Sequence, residues 1–305
     1  MKTRLTMLFL AFGLALAAGE PEGAKPDSEA QREERGRKIM EKNREQMTAR
    51  EFASKATLLL IDASERVQTR HLRRLSRTGD DDYEKYLIIF SDPPEIRGTA
   101  VLNIEHQDRD DDLWIYLPAL KKSKRISGTN LRGSWMGTEF SYKDLKRDRV
   151  AENRYLFVRV EPKAAPAVPP AAAAGGKGGA EAPGAEAPGA KAPEAGAVDL
   201  FVLDAFPATQ REKDEQGYSR RRLWIRADNY YVAKAEFYDK DGELLKTLSL
   251  ADLRPIGRAG KVRAFTNTMI SQKGLKSVIK FEDIHIDEGD IDDDVFTLRY
   301  VERGR

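Results

Sequence analysis

Asp112-Leu113-Trp114-Ile115-Tyr116-Leu117-Pro118-Ala119-Leu120-Lys121-Lys122-Ser123-Lys124-Arg125-Ile126-Ser127 is the stretch on which the fold turns. Side chains alternate across a strand, so Leu113, Ile115 and Leu117 face one way and Trp114 and Tyr116 the other. Both faces are apolar or aromatic, whereas an antiparallel strand with one wet face alternates apolar with polar. Two environments satisfy that pattern. One is a sheet with helices on one face and a sheltered cavity on the other. The second is an ordinary core on both faces.

Working outward, short strand patterns recur between turn signals. Residues 57–61, 67–73, 86–90 and 98–106 read as strands before the quoted stretch, with Gly79-Asp80-Asp81-Asp82 and Ser91-Asp92-Pro93-Pro94 as breaks. Residues 142–148 read as a short helix or turn, and 155–161 as a strand. Further strands are expected over 200–203, 221–227, 232–239, 244–250, 261–271 and 277–286. Asp239-Lys240-Asp241-Gly242 is a hairpin turn, because its glycine takes the positive φ the turn demands. Helix is scarce. Residues 31–50, rich in Glu, Lys, Arg and Gln with Ile39, Met40 and Met47 as a thin apolar stripe, predict one amphipathic helix lying on the domain. Asp290-Ile291-Asp292-Asp293-Asp294 reads as a helix cap and first turn. The fold class is mainly β: one long, curved antiparallel sheet, which at this size must curl or close to bury its apolar face.

Residues 1–17 read as a secretory signal, with Lys2 and Arg4 before an apolar run and Ala15-Leu16-Ala17 at its end. Residues 18–30 are expected to be disordered, and 31–305 to form a single domain. That domain is interrupted at 162–197 by an Ala/Pro/Gly-rich insert, in which Glu-Ala-Pro-Gly-Ala occurs from Glu181 and again from Glu186. The insert lacks the large apolar side chains that offset the entropy of ordering a chain, so a mobile tether is expected. No cysteine occurs, which excludes disulfides, thiolate metal sites and the cysteine of a lipid anchor. The formal charge is +2, and loss of Lys2 and Arg4 with the signal leaves none. Balanced charge does not suit a polyanion binder, so nucleic acid is not an expected partner.

Signatures of enzymes are scarce. His71, His106 and His285 are far apart in sequence, and neither Gly-x-Ser-x-Gly nor a phosphate-binding glycine loop occurs. Asp290, Asp292 and Asp294 have the opening spacing of a calcium loop, but Val295 stands where its glycine belongs and Val301 where its closing glutamate belongs. No catalytic residue, metal site or cofactor is expected. Lys121, Lys122, Lys124 and Arg125 fit two readings, contact with phosphate head groups or a solvated hairpin end.

The quoted stretch, with Trp135-Met136-Gly137-Thr138-Glu139-Phe140-Ser141-Tyr142 and Tyr238-Asp239-Lys240-Asp241-Gly242, closely resembles the outer-membrane lipoprotein-sorting-like proteins, relatives of the lipoprotein carrier LolA. The family usually reads Gly-Ser-Asp-Phe where this chain has Gly137-Thr138-Glu139-Phe140. The likeness spans about residues 47–298 without the insert, which is not a family feature. It implies a half-open β-barrel with a helical lid and an apolar cavity that shelters acyl chains. It also implies service to a lipid-exporting transporter of the resistance-nodulation-division type.

Together these readings lead to a soluble, monomeric periplasmic carrier or chaperone for a lipid or lipoprotein, touching the membrane transiently and doing no catalysis. Trp114, Tyr116, Trp135, Met136, Phe140, Trp224 and Phe237 are its candidate cavity lining, since methionine and aromatics suit a pocket that accepts variable chains. An interaction module that docks a transporter through its sheet and insert is the alternative. A hydrolase using Asp, Glu and His is the third reading.

Overall fold

The computed structural model describes residues 27–164, 198–289 and 291–303. The expected signal at 1–17, most of the segment 18–30 and most of the insert lie outside these residues. Ser28 opens the order with a capping box. Its hydroxyl accepts the Gln31 N–H while the Gln31 side chain accepts the Ser28 N–H. Helix α1 follows over Glu29–Met47, two residues earlier than the sequence pattern suggests, because the cap lies upstream of the apolar stripe.

Thirteen strands then form one antiparallel sheet. They are β1 (Glu51–Ile61), β2 (Val67–Thr78), β3 (Glu84–Asp92), β4 (Ala100–Ile104), β5 (Asp112–Leu117), β6 (Lys122–Ile126), β7 (Asn153–Ala164), β8 (Val198–Pro207), β9 (Arg220–Arg226), β10 (Val232–Tyr238), β11 (Leu244–Ile256), β12 (Lys261–Ser271) and β13 (Lys276–Ile286). Their order across the sheet is β6-β5-β4-β3-β2-β1-β13-β12-β11-β10-β9-β8-β7. Two meanders of neighbouring hairpins therefore meet where β1 pairs with β13, from Phe52 opposite Ile286 to Ile61 opposite Lys276. Strand β7 runs on to Ala164, so the first residues assigned to the insert belong to the sheet. The Asp239–Gly242 turn forms as expected. Asp239 Oδ1 accepts the N–H groups of Asp241 and Glu243, and Gly242 has φ 84°.

The sheet is open and not strongly curled, where the resemblance led to a half-open barrel. Its two edges are managed separately, so closure is not needed to hide them. Strand β6 is five residues long and carries Lys122, Lys124 and Arg125. Strand β7 is covered by α1: Arg32 Nε donates to the Phe157 carbonyl at 2.8 Å, and the Arg35 guanidinium lies 3.7 Å from the Phe157 ring centroid.

Most buried apolar residues form one core. Tyr86, Ile88 and Phe90 of β3, Leu113 and Ile115 of β5, Leu203 of β8, Leu223 and Ile225 of β9 and Met269 of β12 all belong to it, with Ile39 and Met40 of α1 packed on top. A smaller cluster covers the opposite face of β3 to β5. There Leu87, Leu102 and Tyr116 pack against Phe296 and Val301, the latter on α3 (Leu298–Arg303). Asp292 caps the 3-10 turn at Asp293–Phe296 through its side chain, as the acidic run predicts. The two-faced pattern of β5 thus has a core on one side and the C-terminal segment on the other.

Candidate functional site: a cavity beneath the first helix

The segment between β6 and β7 and helix α1 together cover the middle of the sheet. Helix α1 is pinned along its length. Asn43 Nδ2 donates to the Tyr230 carbonyl at 2.7 Å, and Arg44 Nε donates to Asp82 Oδ2 at 2.8 Å. At its C-terminus, Arg263 of β12 donates to the carbonyls of Gln46 and Met47 at 3.0 and 2.9 Å. These carbonyls have no partner within the helix, so a cation here satisfies both them and the helix dipole.

Beneath α1 lies a cavity of about 340 Å³. Ligand pockets commonly measure about 300–1,000 Å³. Met40 and Met47 form its roof, and Phe237, Leu248, Met269 and Phe281 much of its floor. Methionine is flexible and polarizable, so a wall with three of them can fit chains of varied shape. One side is ionic. Asp144 accepts from Lys246 Nζ at 2.7 Å and from the Tyr218 hydroxyl at 3.0 Å. Lys143 Nζ lies 2.9 Å from Glu152 and 3.3 Å from Glu212. Arg221 makes a two-pronged contact with Asp148 at 2.8 and 3.2 Å. Burial raises the Tyr218 hydroxyl well above its usual range, and the Asp144 carboxylate adds to that. Burial alone would depress Lys143, but Glu152 and Glu212 outweigh it and hold the ammonium charged. These paired groups stiffen one wall.

A second cavity of about 510 Å³ is lined mainly by charged residues such as Asp110, Asp111, Arg149 and Arg211. These are already paired: Arg149 with Asp111 at 2.8 Å, and Arg211 with Asp110 and Glu215. It offers little to an apolar guest.

Of the seven candidate lining residues, Phe140 and Phe237 meet at the first cavity. The other five lie elsewhere. Trp135 is wedged in the core against Phe90, with ring centroids 5.6 Å apart. Met136 packs against that core and has φ 51°, its carbonyl accepting from Arg70 at 2.6 Å. Trp114 pairs with Leu102, and Tyr116 packs in the second cluster, so both face away from the main core. Trp224 is directed to the other face from Leu223 and Ile225. Its indole N–H donates to Glu161 at 3.0 Å, and Lys234 Nζ sits 4.3 Å from the ring centroid. For Trp114, Tyr116 and Trp224 strand parity sets the position: residue type marks an apolar partner, and only the sheet says which face it is on.

The basic run lies on the exposed edge. Arg125 pairs with Asp112 at 2.9 Å, while Lys121, Lys122 and Lys124 have no carboxylate partner among the described residues. The histidines stay apart on different elements: His106 bonds Asp112 at 3.0 Å, and His285 bonds Glu288 at 2.7 Å. Among the described residues no group of three or more His, Asp or Glu could hold a metal ion. None of the described helices is long and apolar enough to cross a membrane.

Sequence reasoning missed Leu248, Arg263, Asn267 and Met269 as lining residues. Met40 and Met47 stood in plain view as the stripe of the predicted helix.

A family model whose description reads "uncharacterized protein" matches residues 82–164 and 190–303, more than half of the chain. Among solved structures, a domain from Vibrio parahaemolyticus described as an outer-membrane lipoprotein-sorting protein is similar at 28% identity and TM-score 0.72, covering 88% of this chain and 99% of its own. A protein of a domain-of-unknown-function family from Desulfovibrio piger matches at 24% identity and TM-score 0.72, with coverage of 88% and 99%. A LolA superfamily protein from Nitrosomonas europaea shares the fold at 20% identity and TM-score 0.59, with coverage of 87% and 98%. Comparison with curated proteins finds no match.

Proposed function

We propose that this chain, which belongs to the family whose model matches residues 82–164 and 190–303 and which has a LolA-like fold, is a non-catalytic carrier that shelters an acyl chain of a lipid or lipoprotein. The supporting observation is the cavity of about 340 Å³ between α1 and the sheet, walled by methionine, leucine and phenylalanine. In this reading the open sheet is the floor of the acyl site and α1 its cover. Each buried methylene contributes roughly 0.8 kcal/mol, so even a short stretch of chain gives useful affinity. Release then needs only a competing site of higher affinity, not bond chemistry.

The carrier would work in the periplasm, exported by the signal at residues 1–17, as a monomer. Its partners would be the cargo, a transporter of the resistance-nodulation-division type and, transiently, the membrane surface. The three unpaired lysines of the β6 edge suit such a surface, each contributing about 1 kcal/mol near anionic lipid. Native mass spectrometry with lipid extraction, on protein purified from its host's periplasm without detergent, tests the reading. A stoichiometric lipid or acylated peptide supports it. A folded protein that is empty and indifferent to added lipids overturns it.

A further inference from the structure

We propose that the cavity's guest carries an anionic head, a carboxylate or a phosphate, and that Arg263 receives it. The inference rests on the carrier reading and narrows its cargo.

Seven cations line the cavity, and six have a carboxylate within 4.0 Å: Lys143, Lys146, Arg44, Arg74, Arg147 and Arg221. Arg263 has none among the described residues, although it is 5% exposed. Its hydrogen bonds go to three carbonyls, those of Gln46, Met47 and Val262, at 3.0, 2.9 and 2.8 Å. Carbonyl dipoles at a helix end amount to about half a charge, and Asp287 and Glu84 act on the guanidinium only from beyond ion-pair distance, so no carboxylate neutralises it directly. A buried charge without a partner is costly, and a planar guanidinium matches carboxylate and phosphate oxygens with two parallel bonds.

A neighbour on the cavity wall fits the same head. The Tyr231 hydroxyl accepts the Ala264 N–H at 3.0 Å and can offer its own proton. The apolar roof and floor take the chain, and this polar corner takes the head. Because the same guanidinium holds the Gln46 and Met47 carbonyls, an arriving anion competes with α1 for it, and loading loosens the C-terminal end of the helix.

Binding of three probes with one hydrocarbon chain, oleate, oleyl alcohol and oleoyl lysophosphatidylglycerol, measured by calorimetry on the full chain, tests this. At least one anion is expected to bind at least about tenfold more tightly than the alcohol. Which anion gains more identifies a carboxylate or a phosphate source. Arg263→Met should lose the preference and keep the alcohol affinity, while Arg263→Lys should keep most of the preference. Equal affinity of the wild type for all three probes overturns the inference and leaves the carrier reading standing. So does an unchanged preference in Arg263→Met. Binding of none of the three overturns both. If Arg263→Met does not fold, the wild-type comparison and Arg263→Lys still decide.

Discussion

The α1 helix approaches β7 so closely at Gly36 that a Cβ built there would lie 2.5 Å from the Tyr155 carbonyl oxygen. The next atoms are also backbone, the Tyr155 carbonyl carbon at 2.9 Å and the Phe157 nitrogen at 3.2 Å. Backbone inside a sheet cannot swing aside as a flexible side chain can. In an exposed helix, glycine to alanine would gain up to about 1 kcal/mol from propensity. Here overpacking, typically about 1–3 kcal/mol, should win. Gly36→Ala is therefore expected to lower the urea midpoint. A raised midpoint would show that α1 does not lie on this edge.

Lys246 and Asp144 form a buried pair, 7% and 8% exposed at the side chain. Removing one partner leaves the other uncompensated, a cost of roughly 3–5 kcal/mol. Asp144→Asn should destabilise by that order in chemical denaturation. Replacing both, as Asp144→Leu with Lys246→Met, should cost much less than the single change. A double variant as unstable as Asp144→Asn would mean that Asp144 matters chiefly through its bond to Tyr218.

Asp111 supplies a pH test. Burial alone would raise its pKa, but Lys146 and Arg149 together with the His106 N–H hold it below the usual aspartate value of 3.8. A depressed folded-state pKa contributes stability that is present above the unfolded value and lost as pH falls through the folded one. Stability should thus drop below about pH 4, and Asp111→Asn should flatten that acid limb while lowering stability at neutral pH. Glu105 acts in the opposite sense. Burial raises its pKa, so its contribution weakens as pH rises through the folded value. Denaturation midpoints measured from pH 3 to pH 8 separate the two.

Filling the cavity should separate the lining from the remaining aromatic candidates. Leu248→Trp takes space from the floor, and displacing two methylenes removes roughly 1.6 kcal/mol, more than tenfold in affinity. Trp114→Ser changes the opposite face and should leave acyl binding within about threefold, a shift well under one tenfold step. Equal losses in the two variants would return the binding site to the face of Trp114 and Tyr116.

At the β6 edge, Lys121→Gln, Lys122→Gln and Lys124→Gln combined should reduce sedimentation with vesicles of anionic lipid and not with neutral ones. Arg125→Gln alone should have little effect, because Asp112 already neutralises it. Retained binding by the triple variant would assign the run to solvent.

Much of the fold was legible because strand residues announce themselves by parity and turns by chemistry, as at Asp239–Gly242. The cavity was less legible. Residue type singles out Phe140 and Phe237, which line it, but could not reveal that Trp135 fills the core or that Trp224 faces Lys234. Arg263 was invisible for another reason. A charged residue in a strand reads as a solvated face, and only the arrival of α1, more than 200 residues away in sequence, buries it. The C-terminal cover over Leu87 and Tyr116 is equally non-local.

The pairing of β1 with β13 has a consequence for how this molecule comes together. Each meander grows by hairpins between chain neighbours, which close quickly except at β7 and β8, where residues 165–197 intervene. The seam between them joins Phe52 to Ile286 and closes a loop of about three quarters of the chain, against an entropy that grows with loop length. Folding is thus a zip of two ribbons followed by one long-range weld. The centre of the sheet, not its edges, is where the most distant parts of the chain meet, and the core shared by both ribbons is complete only after they do.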